Sequence, residues 1–164
     1  MSNKVWVPKY FLPDRPNRQI FLALIRWAEG TDKNLESKVA EGYNLLFSFK
    51  KFTDFSKHPR QKIKSGGITS SAAGAYQILD SSWDDINKSY KLPDFSPASQ
   101  DQACLWLIHK KRGALGEVDS LDLVGFLKKC SKEWASLPFS PYGQPAKTLI
   151  QTQEAFKILK KVWL

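Results

Sequence analysis

The chain is short of the residues on which most enzyme chemistries depend. It has two cysteines, Cys104 and Cys130, and two histidines, His58 and His109, in 164 residues. They are too few for a disulfide framework and too scattered for a zinc site, so two buried thiols are expected. No glycine-rich loop ends in Lys-Ser or Lys-Thr, and neither HExxH nor G-x-S-x-G occurs. Phosphate-loop nucleotide binding, metal-assisted hydrolysis and serine-nucleophile chemistry therefore lose their usual signatures, and no cofactor or metal is implied. Long apolar runs are missing as well. Pro8, Pro13 and Pro16 break up the beginning of the chain, and IFLALI at 20–25 is closed by Arg26, far short of the ~20 residues that span a bilayer. A secretory signal is not expected, and synthesis as a soluble cytoplasmic chain is.

What remains is a basic, aromatic-rich composition. Hydrophobic residues make up 42% and aromatics 13%, enough to give one domain a substantial core. One domain over 1–164 is expected, as a monomer, with 1–16 as an extended arm. The formal charge of +9 points to an anionic partner: nucleic acid, a membrane surface or an envelope polymer.

The pattern along the chain is mostly helical. Asn17 is placed to cap a first helix running to Glu29, and GYNLLFSFKKFTDF at 42–55 reads as a small β-hairpin. Residues 57–74 read as loop leading into a helix near Ala75. Ser82 with Asp85 suggests a capping box, and Ser96-Pro97 starts a helix stopped by Gly113. Two more helices are expected, over 121–134 and 146–164. Trp83, Trp106 and Trp134 fall at helical spacings and are assigned to the core. His58-Pro59-Arg60 reads as an element that fixes a loop.

Glu29 is the acid that asks for an explanation. Ile20, Phe21, Leu24, Trp27 and Ala28 mark the apolar face of its helix, and Gly30 ends it. A carboxylate in the last turn faces unsatisfied carbonyls and the negative end of the helix dipole. That position, together with desolvation beside Trp27, raises a carboxyl pKa, as a general acid working near neutrality requires. A solvated glutamate at a helix end would fit the same pattern.

Four stretches read together decide between those two. AEGTD at 28–32, FTDFSKHPR at 52–60, SSAAGAYQIL at 70–79 and WASLPFSPYGQ at 134–144 resemble, in order and approximate spacing, the phage lambda endolysin family of lysozyme-like enzymes. DFSPASQDQA and KKRGAL look similar too, and the resemblance covers roughly 20–147. It implies an α+β, mainly α, lysozyme-like fold with a small β-hairpin region beside the active-site cleft. It also implies a peptidoglycan substrate, cleaved between N-acetylmuramic acid and N-acetylglucosamine by lytic transglycosylation, with Glu29 as the catalytic acid. An enzyme of this kind acts on the periplasmic cell wall after its release from the host cytoplasm. The sequence departs from the family's pattern at LLFSFKKF, where a glycine-bearing turn is expected.

One acid suffices for that reaction, because the substrate's own C6 hydroxyl attacks the anomeric carbon. A hydrolytic muramidase needs a second carboxylate, which Asp32, Glu36, Glu41 or Asp54 could supply, so hydrolysis stays open. For substrate binding, Tyr76-Gln77 and Tyr142-Gly143-Gln144 each pair a ring with an amide suited to N-acetyl groups, and Tyr43 could line the opposite wall. A different class is a non-catalytic basic module. Lys50, Lys51, Lys57, Arg60, Lys62 and Lys64 are interrupted by one acid and interleaved with aromatics, as in a nucleic-acid groove. Attraction to an anionic wall and lipopolysaccharide is the simpler reading, with no nucleic-acid partner. In the C-terminal stretch, Phe156, Leu159, Val162 and Trp163 share a side while Lys157, Lys160 and Lys161 add charge, a pattern that permits contact with an outer-membrane surface.

Overall fold

The computed structural model describes residues 12–164, so most of the expected N-terminal arm lies outside the described residues. Helix α1, Pro16–Glu29, starts on a proline at its first position, where the missing N–H costs no hydrogen bond. Arg15 is the residue before it and gives no side-chain cap. Asn17 does not cap the helix either; its Nδ2 donates to the Asp119 carbonyl at 2.8 Å. Ile20, Phe21, Leu22, Leu24 and Ile25 are all fully buried, so α1 is apolar nearly all round and runs through the core. Gly30, at φ 76°, ends it. Its N–H donates to the Trp27 carbonyl and that of Thr31 to the Arg26 carbonyl, the paired bonds that a left-handed glycine allows.

The hairpin lies further along the chain than the pattern suggested. Strands β1, Ile63–Ser65, and β2, Ile68–Ser70, pair antiparallel around a Gly66-Gly67 tip with both φ positive, the turn whose twist matches a two-residue hairpin. Residues 42–55 instead form an irregular segment. It holds a short 3₁₀ turn at Phe47–Phe49 and single pairings of Leu45 with Lys51 and of Leu46 with Ala73. Its apolar residues serve the core, with Leu46 and Phe52 buried, whereas the polar 63–70 ribbon stands largely in solvent.

Residues 73–78 close a tight turn through reciprocal Ala73–Ile78 hydrogen bonds. Helix α2, Asp80–Ser89, begins after that turn and not at Ala75. Ser82 is buried inside α2 and is not its cap. Asp80 organises this end instead, accepting from Ser71 Oγ at 2.7 Å and from the Ser81 N–H at 2.8 Å. Helix α3, Pro97–Trp106, has Ser96 as its cap and Pro97 at its first position. It continues as a wider π turn, Leu107–Lys111, up to Gly113. A short helix that the pattern did not mark, α4 at Leu115–Asp119, comes next; α5, Leu123–Cys130, falls within the helix expected over 121–134 and is shorter than it, starting after Leu121, whose φ is 60°. The last helix, α6, is Leu149–Trp163, with a Thr148–Gln151 capping box.

Packing draws these elements onto α1. The Phe21 ring lies 4.6 Å from Phe126 of α5 and 5.3 Å from Phe156 of α6. Cys104, Cys130, Trp83 and Trp134 are buried and Trp106 is partly so. His58 is also buried. Its Nδ1 accepts from the Arg60 N–H and its Nε2 faces the Ile78 carbonyl at 2.8 Å, so a neutral imidazole satisfies both contacts, and burial lowers its pKa. Arg60 in turn pairs with Asp84 on α2. Of the apolar stripe on α6, Phe156 and Leu159 are buried in this core, while Val162 and Trp163 are half-buried and Lys157 and Lys161 are exposed. No helix among the described residues is long and apolar enough to cross a membrane.

Candidate active site

The stretch after α1 is built to hold the helix end in place. Thr31 Oγ1 donates to the Ala75 carbonyl at 2.6 Å, tying the end of α1 to the 73–78 turn. Asp32 is buried and accepts from the Asn34 and Glu41 N–H groups, both at 3.1 Å. It also faces Arg26 Nε at 3.5 Å. Gly30 thus stops the helix, Thr31 anchors it, and Asp32 closes the following loop.

Glu29 is left by these contacts at one side of a cleft of ≈ 260 Å³. Phe47, Ile68, Ser70, Ala72 and Gln77 contribute one wall; Trp134 to Ser136, Gln144 and Pro145 contribute another. The β-hairpin therefore borders the cleft. Ser136 Oγ donates to Glu29 Oε1 at 2.8 Å. Burial pushes the Glu29 carboxyl up to about 7, with the Ser136 hydrogen bond pulling the other way. An acid poised there is protonated in a useful fraction at neutral pH and can still give up its proton.

A second carboxylate, Glu133, also borders the cleft. It follows α5 and was not singled out by the sequence, because its neighbours are revealed only by the fold. Arg112 grips its Oε2 from Nε at 2.9 Å and from Nη2 at 2.7 Å, and Lys111 donates to its Oε1 at 3.2 Å. Its side chain is 7% exposed. Of the four acids considered from the sequence, none borders this cleft: Asp32 is consumed as described, Glu41 lies on a neighbouring cavity, Asp54 on another, and Glu36 on none of these.

The residues expected to bind substrate separate in space. Gln77 and Gln144 border the cleft with Glu29. Gln77 holds a φ of 49° and donates through Nε2 to the Gly74 carbonyl at 2.9 Å, while Gln144 is exposed. Tyr76 lies beneath, fully buried. Its hydroxyl donates to Asp101 Oδ1 at 2.5 Å and accepts from Arg26 Nη1 at 2.9 Å, so its ring has no face to offer a ligand. Tyr43 donates to the same Asp101 oxygen at 2.9 Å and borders the adjacent ≈ 490 Å³ cavity with Thr31, Glu41 and Lys51. Burial pushes the Asp101 carboxyl up while the two tyrosine hydrogen bonds and Arg26 oppose it. Tyr142 is exposed, with its hydroxyl donating to the Lys132 carbonyl at 2.7 Å, and does not border the cleft.

Comparison with known proteins agrees with this fold. A family model described as Endolysin matches residues 19–160. The endolysin of Escherichia phage lambda is 41% identical over 128 residues, 77% of this chain and 80% of the relative. That of Escherichia phage P2 is 34% identical over 139 residues, 78% and 83% of the two chains. The solved structure of bacteriophage lambda lysozyme complexed with a chitohexasaccharide superposes with a TM-score of 0.80 at 36% identity, covering 92% of this chain and 96% of the other. A second structure of the lambda lysozyme gives a TM-score of 0.77 at 34% identity over the same shares. With the family model, both relatives and the fold in agreement, the chain belongs to the endolysin family.

Proposed function

We propose that this endolysin degrades peptidoglycan as a lytic transglycosylase, cleaving the β-1,4 bond between N-acetylmuramic acid and N-acetylglucosamine with Glu29 as acid and then base. The observation that carries the reading is the inequality of the two cleft carboxylates. Among the described residues no ion pair reaches Glu29, whose pKa lies near 7, whereas Glu133 is held by Arg112 and Lys111. A carboxylate gripped by a guanidinium fork is a poor nucleophile and a poor base, because its lone pairs are engaged and its charge is compensated.

The chemistry balances with one acid. Protonated Glu29 gives its proton to the glycosidic oxygen as the bond from that oxygen to the muramyl C1 breaks. The muramyl C6 hydroxyl then bonds to C1, and its proton returns to Glu29. No water enters, and the product ends in a 1,6-anhydro ring. Ser136, on Glu29 Oε1, leaves the other oxygen to carry the mobile proton. A chitohexasaccharide bound to the lambda lysozyme supports a β-1,4 glycan strand as the ligand, and a formal charge of +9 suits an enzyme working against an anionic cell wall.

Mass spectrometry of purified peptidoglycan after digestion tests this directly. Anhydro-muropeptides, each lacking one water relative to the hydrolytic product, are expected. Reducing-end muropeptides would instead bring hydrolysis back, with Glu133 as the second acid, and the absence of either product would leave a binding module.

A further inference from the structure

Among the described residues, six residues other than glycine have a positive φ: Ser48, Phe49, Arg60, Gln77, Leu121 and Phe139. This is a conformation that side chains resist and glycine accepts. Two of the six are phenylalanines, Phe49 at 65° and Phe139 at 69°, and neither is explained by the core, being 56% and 50% exposed. Folding gains little from an exposed ring on strained backbone. Such outliers persist where the surrounding structure holds them for another reason.

Both rings belong to the segments that build the cleft. Phe49 ends the 3₁₀ turn that begins at the cleft residue Phe47. The segment is pinned by Leu46 N–H donating to the Lys50 carbonyl at 2.6 Å and Phe47 N–H donating to the Ala72 carbonyl at 2.9 Å. The ring lies against the residue after Glu29, for a Cβ placed on Gly30 would sit 3.3 Å from Phe49 Cζ. Phe139 lies in the other wall's segment, between Ser136 and Gln144, which both border the cleft.

We infer that Phe49 and Phe139 are substrate-contacting residues, two aromatic platforms at the rim that stack on pyranose rings of the glycan strand flanking the bond broken at Glu29. A pyranose presents axial C–H groups on its faces and hydroxyls at its edge, so its apolar face seats on an exposed aromatic ring while the edge stays in water. The inference rests on the glycan reading above for its ligand. It accounts for both oddities together, since exposure is what a platform needs and the left-handed backbone is what turns the ring outward from a segment anchored in the core.

Calorimetric titration of chitohexaose into a Glu29→Gln background, which consumes no ligand, supplies the test. Phe49→Gly and Phe139→Gly are each expected to weaken binding by up to about tenfold, the scale for losing one ring face of apolar contact. Their melting temperatures should not fall, because glycine suits the backbone. Phe49→Trp and Phe139→Trp should keep affinity near that of the background. Binding indifferent to both rings overturns the inference, and so does a glycine variant that loses stability. Failure of the Glu29→Gln protein to bind chitohexaose with both rings intact would instead strike at the glycan reading itself. Reducing-end products from the unmutated enzyme would sink transglycosylation alone.

Discussion

Replacing Glu29 with glutamine separates catalysis from stability in a way that depends on pH. A carboxyl raised from 4.5 in the unfolded chain to about 7 in the fold favours the protonated form there, at about 1.4 kcal/mol for each tenfold in proton affinity. The folded state therefore loses about 3 kcal/mol as pH rises from about 4.5 to about 7, and above that the penalty stays in place. The replacement amide has no charge to bury. Near pH 5 Glu29→Gln should melt close to the unmutated protein. At pH 8 it should be the more stable by up to about 3 kcal/mol, roughly 6–12 °C for a domain of this size. Activity should move the other way, falling about 10²- to 10⁴-fold because an amide has no proton to give. In the unmutated enzyme kcat/KM should decline about tenfold for each pH unit above about 7, as the protonated fraction is lost. Calorimetric melting of both proteins from pH 5 to 8, beside turbidity assays on purified peptidoglycan, measures each quantity. A variant within tenfold of full activity, or a stability difference that does not change with pH, would show that Glu29 is not the desolvated acid.

Other contacts give further outcomes. Glu133→Gln should lower stability by about 1–3 kcal/mol, as Arg112 loses its carboxylate, while digests keep the same anhydro products; a switch in product would give Glu133 a part in the chemistry. Tyr76→Phe should cost about 1–3 kcal/mol, since Asp101 and Arg26 each lose one buried hydrogen bond and keep only Tyr43 and Asp32, with chitohexaose affinity in the folded protein unchanged, whereas Gln144→Ala should weaken that affinity several-fold with an unaltered melting temperature. Deleting 157–164 should lower the melting temperature and reduce digestion of purified peptidoglycan and killing of intact cells alike, since Leu159 is buried; reversing the charges of Lys157 and Lys161, both exposed, should leave the fold intact and test attraction to the envelope alone.

The ends of elements are legible in the sequence where a single residue type decides them. Gly30 and Gly113 stop helices because both take a positive φ, and Ser96-Pro97 starts one because a hydroxyl acceptor and a ring lacking N–H fit the first turn. Asn17 misleads because Pro16, one residue earlier, already starts the helix. The hairpin is displaced from its expected place for a different reason. Alternation marks a strand only when one face is buried, and the real ribbon is short and largely exposed, with Ile63 and Ile68 set among lysine, serine, threonine and glycine, while the aromatic 42–55 segment owes its pattern to filling the core from irregular backbone. Gly66-Gly67 is the available signal, and it reads as loop because its flanks carry so little apolar weight.

The candidate acid can be singled out from local features, but its chemistry cannot be derived from them. The helix end and Gly30 predict a raised pKa in direction only. What makes Glu29 differ from an ordinary carboxyl at a helix end is a wall contributed by Trp134 to Ser136, more than a hundred residues away, and the hydrogen bond from Ser136 that partly offsets the desolvation. Glu133 shows the converse. In the sequence it is one more acid among lysines, and only the turn ahead of Gly113 that brings Arg112 against it removes it from the set of free carboxylates. Tyr76 misleads for the same reason: a tyrosine beside glycine and glutamine has the composition of a binding site. Yet Arg26 and Asp101, 50 and 25 residues away, claim both functions of its hydroxyl and draw the ring under the cleft floor. Whether a polar side chain is chemistry or scaffold is decided by who satisfies it. For these three residues the partner is distant in sequence, so the decision belongs to the fold.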